Sequence, residues 1–157
     1  MKCAVFPGSF DPFTKGHLNI LYRALNIFDK VYVAVGINSL KKGTFSIDDR
    51  IKIIKKSIMN QIPSNKEVEV ISYDCLTVEL CNKLNVHHII RGVRNMIDFE
   101  TERAIADANK KINMCVDTII IPTEQDYGHI SSTAVRDLLL HNGDVSEFMA
   151  CDIKEVL

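Results

Sequence analysis

Five short β-rich runs, residues 2–6, 31–36, 67–72, 87–90 and 116–121, alternate along the chain with segments of helical periodicity. Strand and helix in regular alternation predict an α/β domain built on a five-stranded parallel sheet flanked by helices. The first unit is the clearest. Leu18, Leu21, Tyr22, Leu25 and Phe28 follow the first run at i, i+3, i+4, i+7 and i+10, one buried helical stripe. Ser46 with Asp49 three residues on has the form of a capping box ahead of a helix over 47–59, on which Ile51, Ile54 and Ile58 share a face. Further helices are expected over 76–84 and 98–112. Ser131, Ser132 and Thr133 offer caps for a helix over 134–141, with Gly143 as its stop and short helical pieces from Asp144 onward.

At 157 residues, without repeats, low-complexity stretches or a linker, the chain is expected to be one domain over 1–157. Its apolar runs are only a few residues long, so no membrane span is expected, and the first residues run straight into Pro7 and Gly8 with no export signal. Cys3, Cys75, Cys81, Cys115 and Cys151 are odd in number and scattered, which fits a reducing, cytoplasmic setting better than a disulfide framework or a zinc cage. A formal net charge of −1 lacks the basic excess that nucleic-acid backbones require, so no nucleic-acid partner is expected.

In an open parallel sheet, ligands bind beyond the carboxyl ends of the strands. Four clusters fall there. The first is the turn from Pro7 through Gly8, Ser9, Phe10, Asp11 and Pro12 to Gly16 and His17, whose last residues open a helix and so present unpaired N–H groups to an anion. The helix dipole at that place favours a neutral imidazole, with one nitrogen free to donate to a phosphate oxygen. The second is Arg91-Gly92-Val93-Arg94, two guanidinium forks suited to phosphate. The third runs from Tyr127 through Gly128, His129 and Ile130 to Ser131, Ser132 and Thr133, a hydroxyl-rich helix start. The fourth is Lys41-Lys42-Gly43, after the second strand. Taken singly, each has an ordinary structural reading: a capping histidine, arginines paired with Asp98, Glu100 or Glu102, a plain N-cap, and solvated lysines. Their convergence on one sheet edge favours a shared ligand. Neither G-x-G-x-x-G after the first strand nor G-x-x-x-x-G-K-[ST] occurs, which disfavours ordinary dinucleotide oxidoreductases and P-loop enzymes.

Gly8-Ser9-Phe10-Asp11-Pro12 with Thr14-Lys15-Gly16-His17 resembles the first signature of the T/H-x-G-H nucleotidylyltransferases, and Ile130-Ser131-Ser132-Thr133 resembles their second. Arg91-Gly92-Val93-Arg94 followed by Asp98-Phe99-Glu100 and Glu102 narrows the resemblance to the pantetheine-phosphate adenylyltransferases, over almost the whole chain. The resemblance implies a Rossmann-like fold, transfer of the adenylyl group of ATP to 4′-phosphopantetheine in coenzyme A synthesis, Mg²⁺ with the ATP, and a homohexamer arranged as a dimer of trimers. It implies a catalytic set of His17 as transition-state stabiliser with Lys41 and Arg91. The ATP contacts would be Ser9, Phe10, His17, Gly92, Val93, Arg94, Glu102, Tyr127, Gly128, His129, Ile130, Ser131, Ser132 and Thr133. Phosphopantetheine would meet Ser9, Lys41, Thr77 and Arg91. No metal ligand of the chain's own is implied. Thr77 stands where a larger apolar residue is usual and Asn95 where alanine is usual. Rival readings are a relative using nicotinamide mononucleotide or a sugar or polyol phosphate with ATP or CTP, a nucleotide-binding regulatory module, and a purely structural domain.

Overall fold

The computed structural model describes residues 1–38, 40 and 42–157. Its strands are β1 (Cys3–Gly8), β2 (Lys30–Gly36), β3 (Glu67–Tyr73), β4 (His88–Val93) and β5 (Asp117–Pro122), and its helices are α1 (Lys15–Leu25), α2 (Ile47–Ile58), α3 (Thr77–Leu84), α4 (Met96–Ile112) and α5 (Ser132–Leu140). The strands form one parallel sheet in the order β3-β2-β1-β4-β5. The chain builds outward from β1 in one direction, returns, and builds outward in the other. The switch point therefore falls between β1 and β4, where a doubly wound sheet opens its ligand crevice.

The alternation of side chains along each strand divides the core in two. Ala4 and Phe6 of β1, Val31, Val33 and Val35 of β2, and Ile90 of β4 face α1, α2, α5 and the C-terminal tail, including Met149. Val5, Ala34 and Ile89 face the opposite way, onto Val78, Leu80 and Cys81 of α3. Buried on both faces, the central strands read as continuous apolar runs, as parallel strands do.

Four strands run past the expected ends, β3 by one residue to Tyr73. β1 continues through Pro7 and Gly8, which pair with Ala34 and Val35, and β4 continues through Arg91, Gly92 and Val93, which pair with Ile120, Ile121 and Pro122. β5 likewise ends on Pro122. The two arginines consequently leave from the strand end itself. Phe28 packs in the core from the turn after α1 rather than from the helix.

The end of α5 corrects the expected role of Gly143. Asn142 occupies the left-handed region at φ 57°, and Gly143 does not. The Gly143 N–H donates to the Leu138 carbonyl at 2.7 Å and that of Asn142 to Leu139 at 3.2 Å, the paired bonds of a Schellman stop. The tail that follows contributes a single 3-10 turn, Ile153–Glu155. Among the described residues, no helix is long and apolar enough to cross a membrane.

Candidate active site

A cleft of about 290 Å³ opens at the switch point. It is lined by the end of β1 and the turn after it, the first turn of α1, the end of β4, Thr123 after β5, and the run into α5. Three of the four expected clusters meet here. Ser9, Phe10, His17, Arg91, Gly92, Arg94, Glu102, Ile130, Ser131, Ser132 and Thr133 all line the cleft.

His17 is the third residue of α1, and Thr14 is its N-cap. The Thr14 N–H donates to His17 Nδ1 at 3.0 Å, and the His17 N–H donates back to Thr14 Oγ1 at 3.4 Å. A backbone amide can only donate, so Nδ1 must carry the lone pair and Nε2 the proton. Among the described residues no side-chain nitrogen or oxygen is both buried and unpartnered, so Nε2–H, which has no bond to any of them, opens on the cleft. Burial first, then the positive charges of Arg91 and Arg94, lower the His17 pKa from 6.5 to about 4. At neutral pH the ring is uncharged and donates one hydrogen bond. Capping and ligand contact, rivals when read from the residues, are two ends of one imidazole.

Phe10 holds the imidazole from the side. Its backbone is left-handed at φ 44°, and its ring meets that of His17 edge-on at 5.1 Å, while Phe13 stacks on His17 at 5.4 Å. Gly8 leaves room for that ring: a Cβ there would lie 2.9 Å from Phe10 Cζ. The side chain expected to touch nucleotide is only 2% exposed and packs on Phe6, Phe13 and the His17 ring.

Both arginines are paired as the cautious reading foresaw. Arg91 Nε and Nη2 each donate to the Glu102 carboxylate at 2.6 Å, and Nη1 donates to the Pro7 carbonyl at 2.7 Å. Arg94 Nε donates to Asp98 at 3.0 Å. Pairing orients the forks without exhausting them, because a guanidinium carries five N–H donors and Arg91 uses three. The two carboxylates are spaced at Asp98 and Glu102, one helical turn apart on α4, so one helix face aims both arginines. Asn95 caps that helix, its Oδ1 accepting from the Asp98 N–H at 2.9 Å. The departure from alanine at position 95 is a cap.

At the start of α5, the hydroxyls are already engaged. Ser131 Oγ accepts from the Ala134 N–H, Ser132 Oγ donates to the Pro12 carbonyl at 2.7 Å, and Thr133 Oγ1 accepts from Arg136 Nη2. What this helix offers an anion is its backbone N–H groups and dipole end.

The remaining expected residues lie elsewhere. Val93 is buried in the core at the end of β4, and Tyr127, Gly128 and His129 form the approach to Ile130 outside the cleft lining, with His129 edge-on to Phe148. Thr77 begins α3 and shares a hydrogen bond with the Tyr73 hydroxyl at 3.2 Å, next to Gly36. Lys41 lies outside the described residues. Among those described, no three His, Cys, Asp or Glu side chains converge on a cation position. Mg²⁺ characteristically enters such sites on substrate phosphates rather than in a protein cage.

Known proteins resemble this chain in sequence and in fold. The cytidylyltransferase-like family model matches residues 5–138. Phosphopantetheine adenylyltransferase of Flavobacterium psychrophilum is 44% identical over 146 residues, covering 93% of both chains. That of Caldanaerobacter subterraneus subsp. tengcongensis is 43% identical over 157 residues, covering all of this chain and 96% of its own. The chain belongs to the phosphopantetheine adenylyltransferase family. A Vibrio parahaemolyticus crystal structure assigned as a nicotinate-nucleotide adenylyltransferase matches this family member with a TM-score of 0.75 at 22% identity, covering 99% of this chain and 97% of its own. At that identity the likeness concerns the fold, a Rossmann-like nucleotidyltransferase sheet.

Sequence reasoning missed the roles of four residues that shape the site. Thr14 sets the imidazole tautomer, Asp11 and Arg50 tie the turn together, and Arg136 donates to the Asp11 carbonyl at 2.8 Å. Thr14 was legible as a cap four residues ahead of the first stripe position. The others meet only in three dimensions.

Proposed function

We propose that this chain transfers the adenylyl group of ATP to 4′-phosphopantetheine, giving dephospho-coenzyme A and pyrophosphate, with the residues gathered in the β1–β4 cleft. The observation that carries the reading is the placement of a neutral, tautomer-locked His17 between two arginines and two helix N-termini.

The terminal phosphate of the acceptor attacks the α-phosphorus of ATP. A new P–O bond forms to the acceptor oxygen, the bond to the β-phosphate oxygen breaks, and pyrophosphate leaves with that electron pair. A phosphate monoester loses its second proton near pH ~6, so at neutral pH it is largely a dianion and needs no general base. This fits a site whose central imidazole is a donor. His17 Nε2–H supports charge on the transferring phosphoryl oxygens, and the first turns of α1 and α5 add fixed dipoles. Ser9, Phe10, Gly92, Val93, Arg94, Glu102 and the run 127–133 serve ATP. Lys41, Thr77 and Arg91, with Ser9 shared, serve the acceptor. Mg²⁺ brought in on the ATP phosphates would supply charge neutralisation there.

The reading includes assembly into a homohexamer, a dimer of trimers. Its support is α4, which has no buried residue although Ile97, Ile105 and Ile112 lie along one side of it, 79%, 44% and 61% exposed. An apolar stripe of that length on a 17-residue helix is suited to another protein surface. A cytoplasmic location is supported by five cysteines that are all free thiols.

Pyrophosphate release from the purified chain with ATP, Mg²⁺ and 4′-phosphopantetheine tests the reaction, with nicotinamide mononucleotide and glycerol phosphate as comparison acceptors. Release with phosphopantetheine is expected. Release only with another acceptor refutes the acceptor assignment, and none despite ATP binding refutes the enzyme.

A further inference from the structure

Arg50 and Asp11 form a buried ion pair outside the cleft lining, 7% and 8% exposed. Arg50 Nε stands 3.4 Å from Asp11 Oδ1. Both carboxylate oxygens and two of the three guanidinium nitrogens are also hydrogen-bonded to backbone. Asp11 Oδ2 accepts from the Thr44 N–H and Oδ1 from the Phe45 N–H, each at 2.8 Å. Arg50 Nε donates to the Phe45 carbonyl at 2.9 Å and Nη1 to the Ser9 carbonyl at 3.1 Å. At Gly43 the chain passes so close that a Cβ would overlap Arg50 Nη2.

A buried ion pair is a weak source of stability, because desolvation offsets most of its Coulomb attraction and an apolar pair of similar volume often does as well. What it gives here is position. Two segments far apart in sequence, the Ser9–Asp11 turn and residues 43–45, have no hydrogen-bonded ladder between them and are joined through one carboxylate and one guanidinium. Ser9 lines the cleft, and Gly43 follows Lys41 by two residues. On the other flank, Arg136 of α5 donates to the Asp11 carbonyl and Ser132 to that of Pro12, so the same turn is tied to the third wall of the site.

We propose that Arg50, acting with Asp11, is a positioning residue for the acceptor: it holds the Ser9 turn and the 43–45 segment as one body, so that the groups meeting the acceptor phosphate stand ready before it binds. This rests on the reading that Ser9 and Lys41 serve the acceptor. Arg50 touches neither substrate.

The test compares Arg50→Lys and Gly43→Ala with the wild-type chain, by KM for 4′-phosphopantetheine, KM for ATP, and melting midpoint. Lysine keeps the charge but cannot reach Phe45, Ser9 and Asp11 in a planar fork; alanine at 43 displaces the guanidinium from the loop side while leaving both charged residues in the chain. Because displacements near 1 Å can cost about 100-fold, a rise in acceptor KM of at least ~10-fold is expected in both variants, with the ATP constant near wild type. An unchanged acceptor KM in a folded variant overturns the proposal, as does a parallel rise in both constants. If Arg50→Lys does not fold, Gly43→Ala decides alone. A wild-type chain active only with another phosphomonoester refutes the acceptor assignment, and the same split is then read on that acceptor.

Discussion

The backbone N–H of Thr14 points at Nδ1 of His17 across 3.0 Å, and this one bond decides which imidazole nitrogen carries the proton. It also separates the two residues experimentally. His17→Ala removes the donor and is expected to lower kcat by at least ~100-fold, with ATP affinity changing much less, the pattern of an interaction made in the transition state. Thr14→Ala removes the cap hydroxyl but keeps the amide, so it should cost about 1 kcal/mol of stability and far less turnover. Steady-state kinetics with ATP titration checks both; equal losses of binding and turnover in His17→Ala would remove His17 from the chemistry.

The depressed His17 pKa makes a statement about stability. Between its folded value of about 4 and the ordinary 6.5, the unfolded chain binds a proton that the folded chain refuses. Stability therefore falls as pH drops through that window, by about 2 kcal/mol at pH 5, and the effect vanishes above the ordinary value. Urea unfolding at pH 7 and pH 5 should show a steeper loss for the wild type than for His17→Ala. Identical slopes would mean that the ring protonates freely in the fold.

Arg91 answers to two readouts, because its carboxylate partner Glu102 has a side chain only 13% exposed. Arg91→Ala should raise the KM for phosphopantetheine more than that for ATP, and it should also cost about 1–3 kcal/mol by leaving Glu102 half-buried without a partner. Adding Glu102→Gln is expected to restore much of the stability and none of the KM. Recovery of both together would make Arg91 a structural residue.

On α4, a charge in the apolar stripe tests assembly. Ile105→Glu should convert the proposed hexamer to smaller species in sedimentation, with the monomer still folded, since residue 105 is 44% exposed in the single chain. A wild-type chain that sediments as a monomer would leave the stripe to another partner.

The elements whose information is local were legible. The first stripe, Leu18 to Leu25, gave α1, and the alternation of runs gave a parallel sheet, because helical period and strand composition are written residue by residue. Element ends were less so. Pro7-Gly8 and Arg91-Gly92 carry the composition of loops, yet β2 and β5 extend them as strand by pairing alongside. The clusters at Ser9–His17 and Arg91–Arg94 were visible because each is contiguous. The pair Asp11–Arg50 was not, since its members lie 39 positions apart and meet only in the fold. Thr77 and His129, whose roles come from the resemblance alone, bond Tyr73 and pack on Phe148 respectively, both outside the cleft lining.

Gly92 sits where β4 passes under α1, and here the absence of a side chain is a packing requirement. A Cβ on Gly92 would come 2.7 Å from Ile20 Cγ1 and 3.1 Å from its Cδ1. Ile20 is buried one turn after His17, so relief of the overlap must move α1 or force Ile20 out of its rotamer. Gly92→Ala is expected to cost about 1–3 kcal/mol, the usual range for overpacking. The same displacement carries His17 away from the arginines, so kcat should fall along with the melting midpoint. Adding Ile20→Val, which removes the Cδ1 methyl, should recover part of both. Loss of stability with full kcat would show that the β4–α1 contact supports the fold without setting the catalytic ring.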